Sequence, residues 1–585
     1  MIRKAIVLIL LGTFGLTGTA WAGTYSGGTG EPNSPYKIAT ANDLNDIGNH
    51  IEDFNDCFIL VNDINMAGYN GTQFNIIGTL GDPFTGVFDG NGHTISNFSY
   101  EISSGYSIGL FRIVDDPNAV IKNLSMVDPN INGGTGDGVG ALVGELANGT
   151  ISGCAVQGGR ISGRRYIGGL VGQARRPYGV KTLTNCYSKC TVSGDYGIGG
   201  VVGVLWPMKG QVTIRYCSST GSVSGGKYVG GVVGNLEGSI YDCNSSAVVS
   251  GDDYVGGLVG SAIAPVGEII NCSAVGNVTA TGDFVGGLVG ENMESHISDC
   301  CEAGDVEGSS MVGGLIGYNY DGGIINCHAT GNVRSDCGHA GGLVGRSGGY
   351  RAIISDCYST GTVSATPDAF CLGGLVGDNF EDGTITDCYA TGDVNGLGLD
   401  DAGGLAGRNK SGIITSCYAN GSVSGFCYIA GLVGENLGAV INCFAGGSVD
   451  GNEIVAGLIA DNVGEVANCY AAGSVSGDII IGGLVGENNN GSYTKCFWDS
   501  DMNPDVNGIG NTTDPNVIGK TTVEMSMEST FTDAGWDFVE VWGIGEGQTY
   551  PFLRFYPAGD LNHDGRVDFF DVAILADDWL AGTNN

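Results

Sequence analysis

The sequence repeats. Thirteen cysteines fall in one column: Cys154, Cys186, Cys217, Cys243, Cys272, Cys300, Cys327, Cys357, Cys388, Cys417, Cys443, Cys469 and Cys496. They span 342 residues in twelve steps, a mean step of 28.5. A second column keeps register with it, from Gly168-Gly169-Leu170-Val171-Gly172 through Gly256-Gly257-Leu258-Val259-Gly260 to Gly482-Gly483-Leu484-Val485-Gly486. An apolar residue sits three positions before each column cysteine, as at Ile240, Ile385 and Val466. Each unit holds three short apolar runs separated by Gly, Asn and Asp. None is long enough for a helix, and their β-branched and aromatic content favours strands. Three strands per unit with a turn at each corner describe one coil of a solenoid. A lone coil cannot bury its apolar face, whereas stacked coils share a continuous core. The sequence therefore predicts an all-β chain, a right-handed parallel β-helix or β-solenoid of about 13 coils. At the spacing of hydrogen-bonded strands this is a rod roughly 60 Å long.

Glycine now has a place. It supplies 107 of 585 residues, with only 13 Pro and no G-X-Y period, so collagen is excluded. The paired glycines mark tight turns or close approach of coils. Asn292, Asn319, Asn379, Asn409, Asn436, Asn462 and Asn488 recur two residues after the Leu-Val-Gly run. They are expected to be structural, because Asn tolerates left-handed backbone and stacked amides bond along a ladder.

The column cysteines are expected to face inward as free stacked thiols. Parallel stacking keeps their Cβ atoms about 4.8 Å apart, further than a disulfide prefers. A single file also offers no tetrahedral zinc site. Six cysteines lie off the column: Cys57, Cys190, Cys301, Cys337, Cys371 and Cys427. The residue after the column cysteine is aromatic at Tyr187, Tyr358, Tyr389, Tyr418, Phe444, Tyr470 and Phe497. Alternation sends these rings outward. Such a stripe stabilises itself as a ring ladder, or meets a glycan or a protein.

The repeat resembles the GLUG motif, named for its G-L-[UVI]-G core, over about residues 107 to 500. The resemblance implies a bacterial secreted or surface protein, in some cases an adhesin or a surface peptidase, whose repeats are not themselves catalytic. Residues 23–106 look like the entry cap and first coils of such proteins, with a short helix starting at Ala41-Asn42-Asp43-Leu44.

Residues 1–22 read as a signal peptide. Arg3 and Lys4 precede the apolar run Ala5 to Leu16, and Ala20-Trp21-Ala22 is a small-x-small cleavage site. No later stretch is apolar enough to span a membrane, so the mature chain is expected to be secreted, extracellular or at the cell surface. A net charge of −38 disfavours nucleic acid and anionic membranes and favours divalent cations. The six histidines, among them His328 and His339, fall in no nucleophile, zincin or P-loop pattern. No catalytic residue is assigned. The alternative is a carbohydrate-active β-helix, a glycoside hydrolase or polysaccharide lyase, which would need carboxylates converging from different coils.

The repeat stops after Cys496. Residues 501–556 carry Trp536, Phe538, Trp542, Tyr550, Pro551 and Phe552 and read as an aromatic exit cap over the last coil. Residues 557–585 then hold D-x-N-x-D-G: Asp560, Asn562 and Asp564, with Gly565 allowing the sharp turn. Arg566 would give its backbone carbonyl to a calcium ion, Asp568 would act through water, and Asp571 would close the shell. Aspartate at that last position, followed by Val572, Ile574, Leu575, Trp579 and Leu580, resembles one half of a type I dockerin. The resemblance implies Ca2+ as cofactor and a cohesin-like or surface protein as partner. A dockerin has two such halves, and some 25 residues cannot form a core alone. Isothermal calorimetry is expected to show calcium uptake by the wild type that Asp560→Ala and Asp564→Ala abolish. Unchanged uptake would remove the metal assignment.

Overall fold

The computed structural model describes residues 23–175, 179–206, 211–396 and 401–554. The residues expected to bind calcium, Asp560, Asn562, Asp564, Arg566, Asp568 and Asp571, lie outside these, as does the expected signal peptide, residues 1–22.

Parallel strand pairing runs through almost the whole described chain. Two sheets, of 43 and 28 strands, are built from coils stacked in register. A representative coil has five short strands: Asp253–Gly256, Val259–Ile263, Glu268–Ile270, Ser273–Ala274 and Val278–Ala280. Its successor pairs with it residue for residue, Val255 on Val285, Val259 on Val289, Ile269 on Ile297 and Val278 on Val306. The expected three runs thus resolve into five strands, because Gly-Leu and Asn/Asp corners split two of them. The solenoid makes about 15 turns. Coils carrying Phe58, Phe88 and Ile121 precede the first column cysteine.

The entry end is closed by aromatic packing and a helix. Ala41–Ile47 is capped at Thr40 by a reciprocal pair of bonds with Asp43, and it buries Leu44 and Ile47. Beside it Phe58, Phe84, Phe88 and Phe111 form contacts at 5.0–6.5 Å between ring centres.

The core is a set of ladders. A side chain at Gly257 would lie 2.0 Å from the carbonyl of Gly287, so coils approach here too closely for any Cβ. The column thiols are inward and free. Each Sγ donates to the carbonyl two residues before it, at 3.0–3.5 Å. The residue just before the cysteine is left-handed in all thirteen coils, with φ of 51–59°. That corner turns the carbonyl toward the thiol. At six steps the sulfur also accepts the N–H of the preceding coil's cysteine, at 3.2–3.4 Å. Burial pushes thiols such as Cys388 and Cys417 well above their ordinary range, so they stay protonated.

The asparagines form the expected buried ladder. Nδ2 donates to the next Oδ1 at 2.8–2.9 Å from Asn292 to Asn319 and along Asn379, Asn409, Asn436 and Asn462. In the one gap Asn319 donates to Ser347 Oγ at 3.1 Å. Asn488 instead accepts from the N–H of Gly491.

One inward position breaks the pattern. Glu302 stands where adjacent coils have Ala274 and Ala329, only 1% exposed, and its Oε2 has no partner. Burial pushes its carboxyl up to about 8. An unfolded glutamate ionises near 4.3, so the folded state keeps its proton longer. Stability is full below that value and falls as pH rises through 8, by up to about 5 kcal/mol. Glu302→Ala should therefore raise Tm, by a margin that grows between pH 5 and pH 8. A pH-independent difference in thermal melts would refute the buried acid.

Candidate functional site

The outward aromatic stripe is a ring ladder. His328, Tyr358, Tyr389, Tyr418, Phe444 and Tyr470 stack at 4.8–5.0 Å with planes within 6° of parallel. The sequence reading missed His328 as its first ring, although it follows a column cysteine like the others. Tyr187 is separate, because the intervening coils carry Ser218, Asn244, Ser273 and Cys301 in that place. Faces are spent on neighbouring rings, so an approaching molecule meets ring edges and phenol hydroxyls.

The exit cap uses this stripe. Phe444, Tyr470 and Phe497 are buried against Met525, Phe531, Trp536, Trp542 and Leu553. Trp536 donates to the carbonyl of Lys495 at 3.0 Å, Tyr550 donates to Asp499 at 2.6 Å, and Tyr470 donates to the Pro551 carbonyl. This part of the cap, Met525 to Leu553, therefore lies along the side of the last coils. The end itself is closed by Trp498, in the inward column of Ala471, and by strands Asn507–Ile509 and Val517–Lys520.

A second ring row lies on the other sheet. Tyr228 stacks on Tyr254 at 4.6 Å and Tyr254 on Phe284 at 4.7 Å. Tyr196 and Tyr318 meet its two ends edge-on. Tyr228, Tyr254 and Phe284 have φ of 58–64°, a conformation costly for bulky side chains, of order 1 kcal/mol each. Beside the row, half-buried Glu291 accepts from Ser261 at 2.8 Å, and burial raises its carboxyl. The signal in the sequence is an aromatic residue two positions before the Gly-Gly pair.

The row runs into a charged ladder. Asp378 is fully buried and takes Nε of Arg346 and Nε of Arg408, each at 3.0 Å. Arg346 also covers the Phe380 ring at 4.1 Å. His339 lies 3.5 Å from Asp378 and faces Cys371 in the next coil. Cysteine, histidine and aspartate in adjacent coils invite comparison with a thiol hydrolase, but the electrostatics run the wrong way. Burial, with Asp401 next to it, holds the Cys371 thiol well above its usual range. Burial outweighs the opposing pull of Asp378 and, with the two guanidinium groups, lowers His339 to about 4. An activated nucleophile needs a thiolate beside a competent base. The cluster is a coil-to-coil ion clamp. No grouping of three or more His, Cys, Asp or Glu able to hold a metal occurs among the described residues.

These features define a parallel β-solenoid whose buried ladders hold it together and whose outer faces carry rings and charge. The profile of the GLUG motif matches four stretches of the repeat, residues 251–279, 308–334, 336–364 and 368–395. Halomucin of Haloquadratum walsbyi is 34% identical over 164 residues, 26% of this chain and 2% of halomucin. A protein of Evansella cellulosilytica named as a Gly-rich membrane protein is 32% identical over 145 residues, 24% of this chain and 16% of that protein. The chain thus spans a small part of both relatives. A Bacteroides ovatus crystal structure provisionally named an immunoglobulin A1 protease aligns with 53% of this chain and 80% of its own, at 23% identity and a TM-score of 0.31. No helix among the described residues is long and apolar enough to cross a membrane.

Removing one member tests the clamp. Asp378→Ala leaves two partly buried guanidinium groups unpaired and should cost about 3 kcal/mol. Combining it with Arg346→Ala should cost less than the two separate losses added together in denaturant titrations. Simple additivity would show that the pair carries no coupling.

Proposed function

We propose that this chain is a secreted or cell-surface rod that binds or displays rather than catalyses, with a calcium-dependent tail for attachment. The observation that carries the reading is the division of labour across the wall. Inward cysteines bond backbone carbonyls and inward asparagines bond one another, while the outer faces present two ring rows and many acidic residues. The second row, with Glu291 beside Tyr228 and Tyr254, offers a glycan both ring edges and a carboxyl partner. The names of the relatives, a halomucin and a Gly-rich membrane protein, accord with a surface location. The dockerin-like tail supports attachment to a cohesin-like or other surface protein, in an assembly that degrades polysaccharide or in surface display.

The test is a glycan array and polysaccharide retention assay on the full chain. Retention is expected, and Tyr228→Ala with Tyr254→Ala should weaken it severalfold. Turnover of a polysaccharide would replace this reading with the carbohydrate-active enzyme. Silence on the array together with no protein partner in pull-downs would reduce the chain to a structural spacer.

A further inference from the structure

The entry cap holds a buried carboxylate without a cation. Asp53 ends the short turn Ile51–Asp53 and is only 3% exposed. Its Oδ2 accepts the Gly23 N–H at 2.9 Å and the Tyr25 hydroxyl at 2.9 Å. Burial, with the bond to Asp53, pushes that phenol well above its ordinary range, so it stays a donor. No Lys, Arg or His pairs with Asp53 among the described residues. The charged groups nearby, Asp46 and Asp56, are carboxylates too. His50 is engaged with Asp46 and Glu52 instead, at 3.7 and 3.1 Å. A buried charge served by neutral donors alone is costly.

The segment that reaches Asp53 is fastened along its length. The Thr24 N–H donates to Asp46 at 3.3 Å, and Ser26 Oγ donates to Asp43 at 2.6 Å. The Ser26 N–H donates to the Lys37 carbonyl at 3.0 Å, and the Lys37 N–H to the Gly27 carbonyl at 2.7 Å. Those two bonds cover the outer side of the first strand, Tyr36–Ile38, whose other side pairs with Cys57–Leu60. Without them the rod would begin with an open sheet edge. Position 23 also needs glycine. A Cβ there would run into the Tyr25 ring, which Tyr36 and Phe58 hold at 4.6 and 5.7 Å between ring centres.

Gly23 is the residue that follows the expected cleavage site Ala20-Trp21-Ala22. Hydrolysis of the Ala22–Gly23 bond by a signal peptidase consumes one water. Ala22 leaves with the carboxylate, and Gly23 keeps an amine. That amine takes up a proton at neutral pH, because an α-amino group titrates at about 8. A neutral N–H thereby becomes an ammonium. We propose that removal of the leader creates the cation that Asp53 lacks, and that the ion pair of the Gly23 ammonium with Asp53 locks the entry cap over the first strand. This rests on the reading of residues 1–22 as a signal peptide. A charge-assisted hydrogen bond is about twice as strong as a neutral one. Closure of the rod's first edge thus follows export. A chain that retains its leader has only an amide at this seat and holds residues 23–27 more loosely.

The experiment combines N-terminal sequencing of the exported protein with hydrogen–deuterium exchange on two chains. One is residues 23–585, starting at a free Gly23; the other is residues 20–585, with Ala20-Trp21-Ala22 still ahead of it. Exchange at the Ser26 and Lys37 amides should be severalfold slower in the shorter chain, while the mid-rod Val289 amide stays unchanged. Asp53→Asn should abolish the difference. Acetylating the Gly23 amine should speed exchange in the shorter chain to the level of the longer one, and this arm stands even where the variant misfolds. A first residue other than Gly23 in the exported protein overturns the cleavage reading and the proposal with it. Gly23 as first residue with equal exchange in the two chains overturns the ion pair alone. So does a difference that survives acetylation.

Discussion

In-register parallel stacking is the constraint on which everything else rests. Each coil presents to its neighbour the same residue at the same place. Whatever interaction one coil makes, the stack repeats at the strand spacing. Val255 lies on Val285, and the carbonyl of Gly287 accepts the space a side chain at Gly257 would occupy. The glycines are therefore a condition of stacking. A coil without them could not come within hydrogen-bonding distance of the next.

Repetition converts weak polar contacts into a continuous buried network. A thiol is a poor hydrogen-bonding group, and an isolated buried asparagine is costly. In this solenoid each thiol answers a carbonyl exposed by a left-handed corner, and most ladder amides answer another amide one coil away. Interruptions stand out against that background. Asp378 is tolerated because two guanidinium groups from the adjacent coils hold it, whereas Glu302 is tolerated by keeping its proton. The outer faces follow the same rule. Rings one coil apart stack on each other, and where the stack meets the exit cap it becomes part of a second, smaller core.

Much of this was legible from residue spacing. The periods of cysteine and Gly-Gly-Leu-Val-Gly predicted a parallel all-β rod, inward thiols, an asparagine ladder and outward rings, and the described residues carry all four. The reason for cysteine at the column was not legible, although an Asn or Asp before it is a visible trace of the left-handed corner. The Arg346–Asp378–Arg408 clamp was missed because its members lie 30 to 32 residues apart and belong to no motif. The exit cap was expected over the end of the rod. Its strands Asn507–Ile509 and Val517–Lys520 do stack there beside Trp498, and the rest lies along the side, where alternation had already put the apolar rings.

The sequence by itself determined which residues share a ladder, because a stacked repeat turns a period along the chain into proximity in space. It also marked the D-x-N-x-D-G segment proposed to bind calcium, whose candidate ligands are local in sequence. Only the tertiary structure decided how consecutive ladders sit around the wall, which carboxyl is paired and which keeps its proton, and which stretch of the ring stripe the cap covers. Those outcomes depend on the angles at the corners and on contacts between segments tens of residues apart, and no period in the sequence encodes either.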